Sequence, residues 1–188
     1  MSSHHIIREK QEPALLILNL DDFNHENFGQ LLEWSPTVVV NEDVFDYVDS
    51  LGIKIDGIIT KNLLFPAQPK TLIIHTEDDP LQDGLKFFTG QQYPAVNIIT
   101  DSFSVKDYAL YVERIDIVVL TPDKKIFPVR SGFNKWQVAA EEIEILLEVN
   151  NLQTSGLIQL SEHIFETEKE GFYTLTFEQP FTFIAENL

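Results

Sequence analysis

The chain has 188 residues, 44% of them hydrophobic, and its 30 acidic against 13 basic residues give a formal net charge of −17. This length allows one large domain or two small ones, and the apolar fraction is too high for a disordered acidic tail. The charge argues against nucleic acid and anionic membranes as partners, because both require clustered Lys and Arg. Cysteine is absent, which excludes disulfides and thiolate chemistry.

The sequence carries no sign of a targeting or membrane segment. Its first residues, MSSHHIIREKQEP, lack an apolar run followed by a small-residue cleavage site, so we expect no secretory signal there. His4 and His5 in this stretch are weak metal-ligand candidates, because chain termini are commonly poorly ordered. No apolar run approaches the ~20 residues that a membrane-spanning helix needs. We therefore expect a cytoplasmic protein.

The first two thirds of the chain alternate apolar runs with helical patterns. Continuous apolar runs predict buried strands at residues 14–20, 37–40, 55–60, 71–76 and 95–100. Apolar residues at helical spacing predict helices at residues 23–34, 44–51, 80–88 and 105–114. Strands and helices that alternate in this way predict a parallel sheet with helices on both faces.

Local signals mark where these helices begin and end. Asp22 or Asn24 is placed to cap the first helix with its side-chain oxygen. Gly52 is placed to end the second helix, because glycine tolerates the left-handed backbone found there. Pro80 suits the first turn of the third helix, where its missing N–H would have had no partner.

The pattern changes near residues 121–123. Short runs rich in aromatic and β-branched residues follow at 126–129, 136–139, 143–147, 171–177 and 181–185, and they predict antiparallel strands. Residues 141–148 also have helical propensity, but the alternation of Ile143, Ile145 and Leu147 favours a strand. The predicted fold is α/β plus β. A parallel α/β sheet domain with flanking helices (residues 1–122) is followed by a small C-terminal antiparallel β-sandwich (residues 123–188).

Several phrases between residues 14 and 188 resemble those of the thiamin pyrophosphokinase family. VDSLGIKIDGII (48–59) resembles the family's passage from a helix into a strand, with Asp56 on the family's aspartate. EDDPLQDGLKFF (77–88) resembles a helix start that reads D-T-T-D-L-E-K-A-L in the family. DSFSVKDYALYV (101–112) resembles G-G-R-x-D-H-x-L-x-N, and LQTSGL (152–157) resembles a turn before Gly-Leu. Residues 170–188 resemble the family's closing hairpin.

The resemblance implies an enzyme that transfers a pyrophosphoryl group from ATP to the hydroxyl of thiamin, using Mg²⁺ and working as a homodimer. Such chemistry needs carboxylates on the metal and cationic or amide donors on the phosphates. In the family, the carboxylates come from a G-D-x-D-S motif after the third strand and from a T-D pair at a helix start. A Ser-Asn pair in the sandwich partly lines the thiamin site.

The matching positions of this sequence mostly carry other residue types. G-D-x-D-S aligns with TKNLL (60–64), which removes both acids, and the T-D pair aligns with Asp79 and Pro80. The Arg and His that flank the retained Asp107 become Val105 and Tyr108. The family's D-G-G-A turn becomes EDVF (42–45), and its Ser-Asn pair falls near residues 168–169. Losing even one or two metal-binding carboxylates commonly costs several kcal/mol of transition-state stabilisation, so we expect background activity.

The remaining candidate site residues allow two interpretations. One group is an acidic cluster expected from Glu77, Asp78, Asp79, Asp83 and Asp107. These acids either bind a divalent cation or, at the helix start, complement the helix dipole. The other group is Lys61 and His75 at the ligand edge of the sheet, as phosphate contacts or as ordinary solvated and structural side chains. Glycine-rich phosphate loops are absent, and no metal ligand is predicted firmly.

The sequence therefore predicts a thiamin-pyrophosphokinase-like protein that has lost catalysis. It would act as a homodimer that binds a thiamin-like or nucleotide-like small molecule, or a protein partner. Phe172 and Phe181 are candidates for lining the dimer groove. The alternative is a divergent thiamin pyrophosphokinase that still uses ATP and Mg²⁺ to make thiamin diphosphate with relocated acids.

Overall fold

A computed structural model of the chain describes residues 12–188. The preceding stretch, with His4 and His5 and the expectation about a secretory signal, lies outside these residues. The chain divides into two units, one of residues 12–102 and 110–117 and the other of residues 103–109 and 118–188. Within residues 12–188, no helix is long and apolar enough to cross a membrane.

The N-terminal unit is built on parallel strands joined mostly by helices. The strands are β1 (Ala14–Ile17), β2 (Val38–Asn41), β3 (Gly57–Thr60), β4 (Leu72–His75) and β5 (Ala95–Ile99), and the helices are α1 (His25–Leu32), α2 (Glu42–Ser50) and α3 (Pro80–Gly90). The strand order is β5-β1-β2-β3-β4, with parallel neighbours throughout. Because such crossovers are right-handed, α1 and α2 lie on one face and α3 on the other. The predicted parallel sheet is confirmed.

The local signals that the sequence places at helix ends are found there in the structure. Asn24, one of the two candidates, caps α1 by accepting hydrogen bonds from the N–H groups of Glu26 (2.7 Å) and Asn27 (3.3 Å). Gly52 follows α2 with φ +72°, the left-handed conformation expected of it. Pro80 lies in the first turn of α3.

Helix α3 packs closely on the sheet through a glycine. Leu85 and Phe88 on its inner face are fully buried. A Cβ added at Gly84 would lie 2.8 Å from Leu16 Cδ2 and 3.2 Å from Ile59 Cδ1, which is closer than ordinary van der Waals contact. The absence of a side chain at Gly84 therefore sets how near α3 comes to β1 and β3.

The C-terminal unit consists mainly of antiparallel strands. The elements are α4 (Val105–Tyr108), β6 (Asp116–Leu120, which crosses the division between the units), β7 (Lys124–Val129), β8 (Phe133–Gln137), β9 (Glu142–Ile145), β10 (Gln153–Ser155), β11 (Leu157–Gln159), β12 (Ile164–Thr167), β13 (Gly171–Thr176) and β14 (Thr182–Asn187). Strands β6-β7-β14-β9-β12-β11 follow one another, and β10-β13-β8 form a second, small antiparallel sheet. The strand preferred at residues 143–147 is confirmed as β9.

The last two strands do not form the closing hairpin that the resemblance implies. Strand β13 pairs with β8 and β10, whereas β14 pairs with β7 and β9. Residues 182–186 of β14 are all buried, so this strand needs partners along both edges and a covered surface on both faces. The turn at residues 178–181 therefore carries the chain from one sheet to the other.

The predicted helix at residues 105–114 is also corrected. Its regular part, α4, ends at Tyr108, and turns follow. Tyr108 stacks on Phe103 with ring centroids 5.0 Å apart, and Phe183 meets Phe103 edge-on at 5.2 Å. This aromatic packing holds residues 103–109 in the C-terminal unit. Strand β6 was not predicted either, because its apolar run directly follows the helical pattern.

A hydrophobic cluster in the C-terminal unit contains residues from strands of both its sheets. Its buried members are Val129, Ile143, Ile145, Phe165, Tyr173, Leu175, Phe177 and Ile184. Beside it, the carboxylate of Glu186 in β14 accepts a hydrogen bond from Tyr173 Oη at 3.0 Å and another from Lys135 in β8. Apolar burial and the hydrogen bonds of the buried Glu186 carboxylate therefore connect the two sheets.

Candidate functional site

The carboxyl ends of the parallel strands in the N-terminal unit form the candidate site. Open parallel sheets bind ligands outside these ends, at the point where the strand order reverses. Here that point lies between β1 and β5, the strands from which the chain proceeds in opposite directions. Asn19 after β1 donates from Nδ2 to Asp101 Oδ2 after β5 at 3.3 Å, and its Oδ1 accepts from Asp21 N at 2.6 Å. Asn19 thus ties the two loops together, a role that local sequence patterns do not indicate.

The loop after β3 is held by its own hydrogen bonds. Thr60, which is fully buried, donates from Oγ1 to the carboxylate of Glu42 at the start of α2. The same Oγ1 accepts from Asn62 N at 2.9 Å, and Asn62 Oδ1 accepts from Leu64 N at 3.0 Å. Leu63 and Leu64 are 64% and 90% exposed. The loop presents apolar side chains where the resemblance would place a metal-binding acid.

Lys61 supplies a positive charge at this edge. Its Nζ lies 2.8 Å from Asp78 Oδ1, across the ends of β3 and β4. The hydrogen bond and then the charge of Asp78 raise the pKa of Lys61, so the ammonium form is retained. Both side chains are largely exposed, and such pairs contribute little to stability. The pair therefore matters for the charge of the site and not for holding the fold.

The predicted acidic cluster is distributed over separate roles. Asp79 caps α3 by accepting from Gln82 N at 3.0 Å. Asp83 accepts from Thr76 Oγ1 at 2.8 Å and from Lys86 Nζ at 3.0 Å. Partial burial acts to raise the pKa of Asp83, but the hydrogen bonds from Lys86 and Thr76 and the charge of Lys86 outweigh it and lower that pKa. Asp79 and Asp83 thus already accept hydrogen bonds from α3 and from Thr76, which precedes it.

The acids at this edge do not form a ready set of Mg²⁺ ligands. This ion needs oxygen ligands in near-octahedral geometry. Within residues 12–188, no three His, Asp or Glu side chains are gathered where they could hold a metal ion. Glu77 is exposed beside Asp78, and Asp107 lies in α4 and is described with the C-terminal unit. A function for these acids as a set stays a prediction.

The predicted phosphate contacts lie on neighbouring strands. His75 is the last residue of β4 and pairs in register with Thr60, the residue before Lys61. Its side chain is exposed, and its charge contributes to the lowered pKa of Asp83. The structure thus brings the two strand ends to one edge, and a phosphate-binding role for Lys61 and His75 stays a prediction.

An aromatic contact fills the position of the family's glycine turn. Phe45 in α2 is 5% exposed and meets Phe65 edge-on, with ring centroids 5.0 Å apart. This contact attaches the loop after β3 to α2. A phosphate group that approached the backbone at residues 42–45 would meet the Glu42 carboxylate and this aromatic pair instead of glycine.

Comparison with known proteins shows which fold this is. No family model and no curated protein matches the sequence. Thiamin pyrophosphokinase structures match most of its length: that from Geobacillus thermodenitrificans with a TM-score of 0.68, 9% identity and coverage of 93% of this chain and 97% of that one. The Candida albicans enzyme matches with a TM-score of 0.69 and 10% identity, over 94% of this chain and 89% of that one. The yeast enzyme matches with a TM-score of 0.65 and 11% identity, over 97% of this chain and 88% of that one. At these identities the likeness concerns the fold alone, and it confirms the resemblance at that level.

Proposed function

We propose that this chain is a thiamin-pyrophosphokinase-like protein that has lost catalysis and acts as a homodimer that binds a small ligand or a protein partner. The observation that carries the proposal is the pair formed by Lys61 and Asp78, 2.8 Å apart at the end of β3. Phosphoryl transfer requires carboxylates that hold a divalent cation against the phosphates. Lys61 places its own positive charge at this position and forms an ion pair with the Asp78 carboxylate.

The charge of the surrounding edge supports the same proposal. Acids outnumber the lysines there, with Glu42, Asp43, Glu77, Asp78, Asp79, Asp83 and Asp101 against Lys61 and Lys86. An edge of this charge repels a polyphosphate unless metal ions neutralise it. A nucleoside triphosphate without metal ions is therefore a poor ligand for this edge of the sheet. A neutral or cationic small molecule is a better one.

The second candidate is a divergent thiamin pyrophosphokinase that transfers pyrophosphate from ATP to thiamin with Mg²⁺. The observation in its favour is that Glu77 and Asp78 are adjacent and exposed at the start of the α3 region. Under this alternative, Asp78 would have to leave Lys61 and join Glu77 in binding the metal. Asp78→Asn would then abolish activity.

Calorimetric titration of thiamin, and then of ATP with Mg²⁺, followed by an assay for thiamin diphosphate, tests the proposal. We expect no thiamin diphosphate and no Mg²⁺-dependent binding of ATP to the natural protein. The variant Lys61→Asp with Leu63→Asp, which places two acids after β3, should gain Mn²⁺ binding, whereas the control Lys61→Gln should not. Product formation by the natural protein that Asp78→Asn abolishes would establish the alternative.

The remaining proposals concern assembly and organisation. We also propose a domain boundary at residues 122–123, a sandwich arrangement of the C-terminal sheets and a cytoplasmic location. For the dimer, Phe172 is 65% exposed and pairs in register with Trp136, which is 47% exposed, on the small sheet. Phe181 is half-buried against Phe183. Light scattering should show a dimer that Phe172→Asp weakens, and a monomer at micromolar concentration would refute it.

A further inference from the structure

The C-terminal unit contains a cavity of about 370 Å³ where its hydrophobic core opens to the surface. It lies beside the end of β9, strand β11 and the turn before β12. Its floor consists of Ile145 and Phe165 from the buried core, together with the partly buried Val149, Leu152 and Leu157. The volume falls within the range of pockets that hold small molecules, and the apolar floor suits a compact hydrocarbon body.

The rim of this cavity carries negative charge without a matching cation. Glu148 and Glu162 line it together with His163, and no Lys or Arg lines it. Neither carboxylate forms a hydrogen bond or ion pair with another of residues 12–188. Both acids are exposed, so they are hydrated and available to a ligand. An apolar ligand with a positive charge would bury its body on the floor and keep that charge beside the carboxylates.

We infer that this cavity is a binding site for small organic ammonium compounds with an apolar body. This cavity is separate from the candidate site at the carboxyl ends of the parallel strands, because every residue that lines it belongs to the C-terminal unit. Anionic ligands are disfavoured by Glu148 and Glu162, and the net charge of −17 attracts cations at longer range. Thr154 and Gln159 add neutral hydrogen-bonding groups at the same rim.

Probes that share one apolar body and differ in charge test this selectivity. Phenylethylamine, phenylethanol and phenylpropanoate are titrated into the full-length ¹⁵N-labelled protein, and amide shifts are followed by NMR. We expect saturating shifts at Thr154, Leu157 and Gln159 for the amine, with a dissociation constant of about 1 mM for so small a ligand. The alcohol should bind more weakly, and the carboxylate should not bind.

Variants separate the role of charge from that of the apolar floor. Glu148→Gln and Glu162→Gln should each weaken amine binding about fivefold, as for partly solvated ion pairs, and leave the alcohol unaffected. Glu170→Gln, at an exposed acid that does not line the cavity, is the matched control. Leu152→Trp, which fills the cavity, should remove binding of both ligands. Equal affinity for all three probes, no saturable shifts at the rim, or amine binding unchanged in both glutamine variants would overturn the inference.

Discussion

Glu186 places a carboxylate inside the C-terminal unit, and its hydrogen-bond partners belong to the other sheet of that unit. The residue is 3% exposed and accepts from Tyr173 Oη and from the ammonium of Lys135. Burial, and then the charge and hydrogen bond of Glu186, raise the pKa of Tyr173, so its hydroxyl stays a donor. We predict that Glu186→Gln destabilises this unit, because the Lys135 ammonium loses its counter-charge.

The size of the effect follows from burial. Removing one partner of a fully buried ion pair costs about 3–5 kcal/mol. The Lys135 side chain is 32% exposed, so water recovers part of that cost. We therefore expect a loss of about 2–3 kcal/mol for the single variant. Combining Glu186→Gln with Lys135→Met removes the uncompensated charge, so the double variant should lose about 1–2 kcal/mol less than the sum of the two single losses.

Urea unfolding followed by tryptophan fluorescence measures this prediction. Trp136 lies in β8 directly after Lys135, and Trp34→Phe removes the other tryptophan so that the signal reports on the C-terminal unit. Unfolding curves for the two single variants and the double variant form a closed cycle. A single-variant loss below about 1 kcal/mol, or a double loss equal to the sum of the single losses, would refute the reasoning.

Three further predictions concern backbone contacts and one carboxylate. Gly84→Ala should lower the free energy of unfolding by about 1 kcal/mol, because the clash with Leu16 outweighs the gain in helix propensity. In the control Gly29→Ala the new Cβ has no other atom within 4 Å, so this variant should raise the free energy of unfolding. Gly156→Ala should lower the free energy of unfolding by about 2 kcal/mol or more, since φ at this residue is +72° and the new Cβ would lie 2.7 Å from the Phe172 carbonyl oxygen. An unchanged midpoint of urea unfolding would contradict this prediction. Asp83→Asn should cost about 1 kcal/mol near neutral pH, measured by urea unfolding across pH. The folded pKa of Asp83 is lowered from 3.8, so its contribution to stability is present above that value and is lost as the pH falls through the folded pKa. The stabilities of the natural protein and of Asp83→Asn should therefore converge in acid. A difference that persists in acid would exclude the Asp83 charge as the cause.

The local features of this protein can be read from short stretches of its sequence. Apolar runs and helical spacing identify the parallel strands and the first three helices, because these signals depend on neighbouring residues. Asn24, Gly52 and Pro80 mark helix ends for the same reason. The absence of acids from residues 60–64 is also visible in the sequence. The residue types that the loop after β3 presents were therefore known before the structure.

The contacts between residues far apart in the sequence depend on how the whole chain packs. The order β5-β1-β2-β3-β4 brings Asn19 to Asp101, and the loops after β3 and β4 bring Lys61 to Asp78. Strands β13 and β14 have similar local patterns, yet they enter different sheets, since strand pairing is settled by burial over the whole unit. The contacts of Glu186 and the open end of the core arise in the same way, because long-range packing leaves no periodic signal in the sequence.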